Sequence, residues 1–265
     1  MRVTTLVDNL TYISNLQAEH GLCFHFNLGS TKVLLDVGQT SAFLHNANML
    51  GIDIADVDVL ILSHSHYDHC GGLEAFLEVN GKAKIYTKPS FFRPKYDVEG
   101  RYLGYPFDFE EVVSRFTPIS SVIDIEGLKI VPEIPIVNSW DTHFEGFKVE
   151  TDNDLLDDCF DDELFVCYPT AEELSIFTSC SHRGISNIVQ AATKLFPAPA
   201  ISITGGFHLK DAPAEQVDAT IAYLKTLSLN KLGVCHCTGV GSFAQMAGSL
   251  TGKVYYCSAG STYDF

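Results

Sequence analysis

Four side chains able to hold a metal ion fall within six positions: His64, His66, Asp68 and His69, in the stretch LILSHSHYDHCGGL at residues 60–73. In an extended or loosely turned backbone, an HxH pair sends two imidazoles the same way, so His64 and His66 can share one ion. Asp68 and His69 follow about one turn later, within reach of a second ion or in support of the first. Imidazole suits zinc, iron and nickel, and one carboxylate adds a hard oxygen donor. Ordinary surface histidines have no reason to crowd in this way beside one aspartate. The stretch predicts a metal site.

Such a loop needs a rigid support. The apolar run at 57–62 reads as a buried strand, and Gly71-Gly72 closes the loop that leaves it. The same arrangement of apolar strand and exit histidine recurs three times. A strand at 174–178 leads to TSCSHRG with His182, a strand at 201–204 to GGFH with His208, and a strand at 232–235 to HCTG with His236. In open α/β sheets the C-terminal edge of the strands is where ligands bind. Around these lie a hairpin at 22–28 and 32–37, strands at 4–7, 84–87, 164–168 and 254–257, and helices at 40–50, 73–79, 214–227 and up to 250. Another helix is predicted from 185. Two prolines in 128–136 mark that segment as an edge strand. Asp36 closes the second hairpin strand, either as a turn residue or as a carboxylate acceptor for a ligand histidine. These alternations predict an α/β layered domain spanning 1–265.

Residues 88–118 break the pattern, with many aromatics and cations and no periodicity. That segment reads as a lid or pocket wall, with Phe92, Arg93, Lys95 and Tyr96 as substrate contacts. Arg183 and Lys210, close to the ligand histidines in a chain with only 17 basic residues, are further candidates for holding a phosphate. The acidic run TDNDLLDDCFDDE at 151–163 lacks the spacing of a calcium loop and reads as a solvated face.

Net charge is −16 and the pI is near 4.8, which argues against nucleic-acid binding and against an anionic membrane surface. No apolar run is long enough to span a bilayer, and the N-terminus lacks the look of an export signal, so a cytoplasmic protein is expected. Eight cysteines, several inside strand-like runs, fit free thiols better than a disulfide scaffold. Cys180 and the pair Cys235 and Cys237 stand beside ligand histidines, leaving a thiolate ligand as the minority reading.

The motif order, HSHYDH followed by an isolated His182 and then His236, resembles the metallo-β-lactamase fold superfamily over essentially the whole chain. The resemblance implies an αββα sandwich of two mixed β-sheets flanked by helices. It implies two divalent ions, zinc first, with manganese or iron as alternatives. By position, His64, His66 and His182 would hold the first ion, and Asp68, His69 and His236 the second. The superfamily usually places a bridging aspartate between the last two histidines. Here His208 stands there, and with Asp68 it is a candidate catalytic residue. Asp36, Ser63 and Cys180 are candidates to orient the ligands from behind. VDN, AEHGL, LLDVGQ, TSCSHRGI, GGFHL and HCTG together are similar to the 7,8-dihydropterin-6-yl-methyl-4-(β-D-ribofuranosyl)aminobenzene 5′-phosphate synthases. Those enzymes join a dihydropterin-methyl pyrophosphate to a ribosylaminobenzene phosphate.

The expected function is therefore a metalloenzyme acting on an anionic or phosphorylated small molecule, by hydrolysis or by pyrophosphate-displacing condensation. The alternatives are an iron-dependent oxidoreductase at the same ligands and a non-catalytic metal-dependent binding protein. The oligomeric state stays open, with a homodimer as one option.

Overall fold

The computed structural model describes residues 1–106, 113–152, 154–250 and 254–265. Along the chain come β1 (Arg2–Val7), β2 (Cys23–Asn27), β3 (Lys32–Leu35), α1 (Ala42–Met49), β4 (Val59–Ile61), the single turn α2 (Tyr67–Cys70), α3 (Leu73–Val79) and β5 (Lys84–Thr87). Short strands follow: β6 (Lys95–Asp97), β7 (Phe116–Pro118), β8 (Ile123–Ile125), β9 (Leu128–Val131), β10 (Phe147–Glu150) and β11 (Leu155–Asp157). The remainder runs β12 (Phe165–Pro169), β13 (Glu173–Thr178), α4 (Ile185–Leu195), β14 (Ala200–Gly205), α5 (Ala214–Lys225), β15 (Leu229–Val234), α6 (Val240–Ser249), β16 (Val254–Tyr256) and β17 (Thr262–Asp264).

The chain divides into two compact units, each assembled from separate stretches. Unit 1 takes Met1–Ser120, Phe144–Asp162 and Ser258–Phe265; unit 2 takes Ser121–His143 and Glu163–Cys257.

Unit 1 holds a seven-stranded mixed sheet in the order β17-β1-β2-β3-β4-β5-β7, antiparallel up to β3 and parallel beyond it. All three residues of β4 are buried, the expected fate of a continuous apolar run inside a parallel stretch. Phe43 and Ala47 of α1 and Leu73 and Phe76 of α3 join the strands in one core. Gly71 and Gly72 are required by close approach. A Cβ at Gly71 would lie 2.3 Å from the Gln39 carbonyl oxygen, and one at Gly72 would lie 2.4 Å from that of Val37. A smaller antiparallel sheet, β11-β10-β6, completes this unit.

Unit 2 holds a second mixed seven-stranded sheet, β16-β15-β14-β13-β12-β9-β8. From β13 to β16 it is parallel, and its register aligns Thr178 with Gly205 and Gly205 with Val234. Three consecutive parallel strands in that register must deliver their exit loops to one edge. Those loops carry His182, His208 and His236. Ile185, Ile188 and Val189 of α4, Val217, Ile221 and Leu224 of α5, and Met246 of α6 pack into the core of this sheet.

The expected hairpin and the helices form close to their expected bounds, and both large sheets are mixed. Two expectations fail. The segment at 128–136 is not an edge strand, because β9 lies between β8 and β12 and ends before Pro132. Its prolines therefore occupy no ladder position. The acidic run is not simply a solvated face. Although β11 is exposed, Asp158, Asp162 and Glu163 are buried. Residues 107–112 of the expected lid lie outside the described residues, and part of the rest is ordered as β6. Among the described residues no helix is long and apolar enough to cross a membrane.

Candidate metal centre

In unit 1 the loop after β4 crowds its imidazoles together, tilted or edge to face. The rings of His64 and His69 have centroids 4.3 Å apart, and those of His64 and His66 lie 4.9 Å apart. Asp36 fixes their orientation. Its Oδ2 accepts from His69 Nδ1 at 2.8 Å and from Ser63 Oγ at 2.8 Å. Having donated to Asp36, the Ser63 hydroxyl accepts from His64 Nδ1 at 2.9 Å. One buried carboxylate thereby commits the Nδ1 protons of two histidines and leaves Nε2 as the basic nitrogen in each. Asp36 serves as an acceptor, not as a plain turn residue, and it adopts the left-handed backbone at φ 60° to do so. Burial holds the His64 imidazole well below its ordinary pKa and His66 down to about 3, so both stay neutral. Asp68 Oδ2 lies 3.3 Å from His20 Nε2 and 3.6 Å from His69 Nε2.

Behind the HxH segment sits a buried charge cluster. Lys95 Nζ meets Asp158 Oδ2 at 2.5 Å and Asp162 Oδ1 at 2.7 Å, and it lies 4.4 Å from the Phe160 ring centroid. The other Asp162 oxygen accepts the Ser65 backbone N–H at 2.9 Å, between the two histidines of the pair. Burial pushes Asp162 up, but the Lys95 charge and hydrogen bond outweigh this and carry it below its ordinary value. Lys95 is 2 % exposed, so it is not the substrate contact expected from the sequence. A cation in an aromatic segment looks available until its two acids, more than sixty residues away, are seen to neutralise it.

In unit 2 the strand exits bring His182, His208, His236, Cys180 and Cys237 together. The donor atoms of Cys180, His182 and His208 lie within 4.8 Å of one another, as do those of Cys180, His236 and Cys237. His182 Nδ1 donates to the His143 carbonyl at 3.3 Å, again leaving Nε2 basic. Glu163 accepts the His182 and Arg183 backbone N–H groups, one on each oxygen, both at 2.7 Å. Burial pushes the Cys237 thiol up, but the Cys180 hydrogen bond and the His236 and His208 charges take it well below its usual value. Ser181, His208 and His236 hold φ between 49° and 57°. Left-handed backbone at a residue other than glycine costs about 1–3 kcal/mol and gathers at functional sites.

His143 was absent from the sequence reading. Its ring centroid is 5.2 Å from that of His208, burial lowers it to about 3, and its buried Nε2 makes no hydrogen bond among the described residues. It follows no strand exit, so no pattern announces it. His20, Asp158, Asp162 and Glu163 also lacked a local signal. Among the expected substrate contacts, Phe92 packs against Phe116 with centroids 5.2 Å apart, and the Tyr96 hydroxyl donates to Glu150. Arg183 Nε donates to the Ile134 carbonyl, while Arg93 and Lys210 are exposed. The donors fit a divalent cation, since neutral buried imidazoles with fixed tautomers, thiols and one aspartate are what such an ion recruits.

The chain is 28% identical to the 7,8-dihydropterin-6-methyl-4-(beta-D-ribofuranosyl)-aminobenzene-5'-phosphate synthase of Methanocaldococcus jannaschii, covering 90% of this chain and 88% of that one. Uncharacterized protein MJ0448 of the same organism is also 28% identical, over 92% of this chain and 93% of its own. The crystal structure of Tm1679, a metal-dependent hydrolase of the beta-lactamase superfamily, superposes with a TM-score of 0.87 at 29% identity, over 100% of this chain and 99% of that one. The sequence profile of the metallo-beta-lactamase superfamily matches residues 19–151, half of the chain. With that match, the chain belongs to the metallo-β-lactamase superfamily of metal-dependent enzymes.

Proposed function

We propose that this protein is a dinuclear metalloenzyme acting on an anionic, phosphorylated small molecule, with zinc as the first ion and manganese or iron as alternatives. His64, His66 and His182 are the proposed ligands of one ion. Asp68, His69 and His236, with His208, are those of the other, as the superfamily pattern assigns them. The observation that carries the reading is the set of buried imidazoles whose Nδ1 protons are committed to Ser63, Asp36 and the His143 carbonyl. Such an ion pair supplies Lewis acidity toward a phosphoryl or pyrophosphoryl oxygen. The rest falls to the chain. Asp68 takes the proton of the attacking nucleophile and, at 3.3 Å from His20 Nε2, passes it to a half-exposed imidazole. Arg93, Arg183 and Lys210 are the cations left to meet a phosphate once Lys95 is paired.

The synthase relative supports attack by an arylamine partner with pyrophosphate leaving; the hydrolase relative supports attack by water. The acidic charge supports a small-molecule substrate and argues against nucleic acid or an anionic membrane surface as partner. The test is to supply zinc-loaded protein with a dihydropterin-methyl pyrophosphate, with and without a phosphorylated ribosylaminobenzene, and with a panel of phosphate and diphosphate esters. Pyrophosphate released only in the presence of the arylamine identifies the condensation. Acceptor-independent release identifies the hydrolysis. No turnover of any member by the metal-loaded protein overturns the proposal.

A further inference from the structure

Of the three thiols in the exit loops of β13 and β15, Cys180 and Cys237 stand among the histidines. Cys180 Sγ, Cys237 Sγ and a His236 nitrogen lie within 4.8 Å of one another, and all three residues are buried. The parallel register through β14 sets this spacing, because Thr178 and Val234 end in line on either side of Gly205. Space for the sulfur is kept by Gly206, where a Cβ would lie 2.6 Å from Cys237 Sγ and 2.3 Å from the Ser179 carbonyl oxygen. The backbone N–H of His208 donates to Cys237 Sγ at 3.2 Å. A donor of this kind stabilises negative charge on a ligating sulfur. Cys237 Sγ also lies 3.5 Å from the Cys180 carbonyl, to which the protonated thiol donates.

The donor chemistry is as telling as the spacing. Among the described residues, each of the two donor groups lying wholly within unit 2 contains only histidine and cysteine. Cys180 is common to both, with His182 and His208 on one side and His236 and Cys237 on the other. Carboxylate-rich sites favour hard ions; thiolate and imidazole favour zinc and its thiophilic neighbours.

We propose that Cys180, Cys237 and His236 form a thiolate-rich metal site in unit 2 that takes zinc or another thiophilic divalent ion, sulfur supplying the charge that a bridging carboxylate would otherwise bring. This rests on the metalloenzyme reading and adds Cys180 and Cys237 to His236 as donors of the ion that the superfamily pattern assigns to that histidine. On binding, each thiol releases its proton to solvent as a sulfur–metal bond forms, with no change in oxidation state.

Cobalt(II) titrated anaerobically into reduced, metal-free protein tests this, because a thiolate bound to cobalt gives an intense near-ultraviolet charge-transfer band and imidazole or carboxylate does not. The wild-type protein is expected to develop the band in proportion to cobalt bound. C237S and C180S are each expected to lose a large part of it. C167S, altered in a buried strand thiol, retains it in full. Cobalt bound stoichiometrically by equilibrium dialysis but without the band overturns the thiolate site and leaves the metalloenzyme standing. No cobalt bound at all refutes both. The wild-type spectrum decides the matter even if a serine variant fails to fold, and zinc X-ray absorption showing no sulfur scatterer would overturn the proposal equally.

Discussion

Replacing Lys95 with methionine removes the cation from a site where Asp158 and Asp162 stay buried, at 2 % and 1 % exposure. In the native cluster Nζ reaches both acids, at 2.5 and 2.7 Å, and lies over the Phe160 ring, 4.4 Å from its centroid. Removing one partner of a buried ion pair costs about 3–5 kcal/mol, because the remaining charge is left desolvated. Domains hold roughly 5–15 kcal/mol in total, so this is a large loss. The pH dependence gives the argument its sign. Burial already raises Asp158, and without Lys95 both acids take up protons on folding. The deficit of K95M relative to wild type must therefore shrink as pH falls toward the carboxylate range. Combining K95M with D158N and D162N should recover most of the loss by removing the stranded charges. Asp162 also accepts the Ser65 N–H, so zinc affinity should fall in K95M as well. Urea unfolding at about pH 8 and about pH 5, with chelator competition for zinc, reads both effects. A K95M deficit below about 1 kcal/mol, or one equal at both pH values, refutes the assignment of Lys95 as a buried counter-ion.

D36N keeps the shape but weakens the charged acceptor for His69 Nδ1 and Ser63 Oγ, so zinc affinity should fall about 10–100-fold by chelator competition with little change in the metal-free fold. E163A strands the His182 and Arg183 N–H groups and should cost about 1–3 kcal/mol in thermal or urea unfolding, while E163Q should recover part of it. His25 lies in β2, where burial lowers it to about 4 from 6.5. Its contribution is complete above pH 6.5 and is lost as pH falls toward 4, when the unfolded chain takes up the proton first. The span amounts to roughly 3 kcal/mol, so H25Q should lose less stability than wild type between about pH 7 and pH 4.

What was legible in the sequence was local. The apolar runs at β4, β13, β14 and β15 are each followed by a histidine within a few residues, and the parallel register of β13, β14 and β15 places theirs on one edge. What escaped depends on distant partners. Asp162 meets the Ser65 N–H across 97 residues, and Lys95 meets Asp162 across 67. From composition the acidic run looks solvated and Lys95 looks free, because each hides the other's charge only after folding. The His143 carbonyl accepts from His182 Nδ1 and stands in a loop without periodicity, which no pattern in the chain distinguishes. The prolines after β9 misled for a related reason: they follow the strand and occupy no ladder position.

If buried imidazoles with fixed tautomers hold divalent metal, the purified chain must carry it. Elemental analysis of protein purified without chelator, beside H66A and D36N, tests it most directly. Two divalent ions per wild-type chain are expected, zinc foremost, with H66A losing at least one and D36N releasing metal more readily to chelator. A folded wild-type chain that stays metal-free after incubation with excess zinc would contradict it.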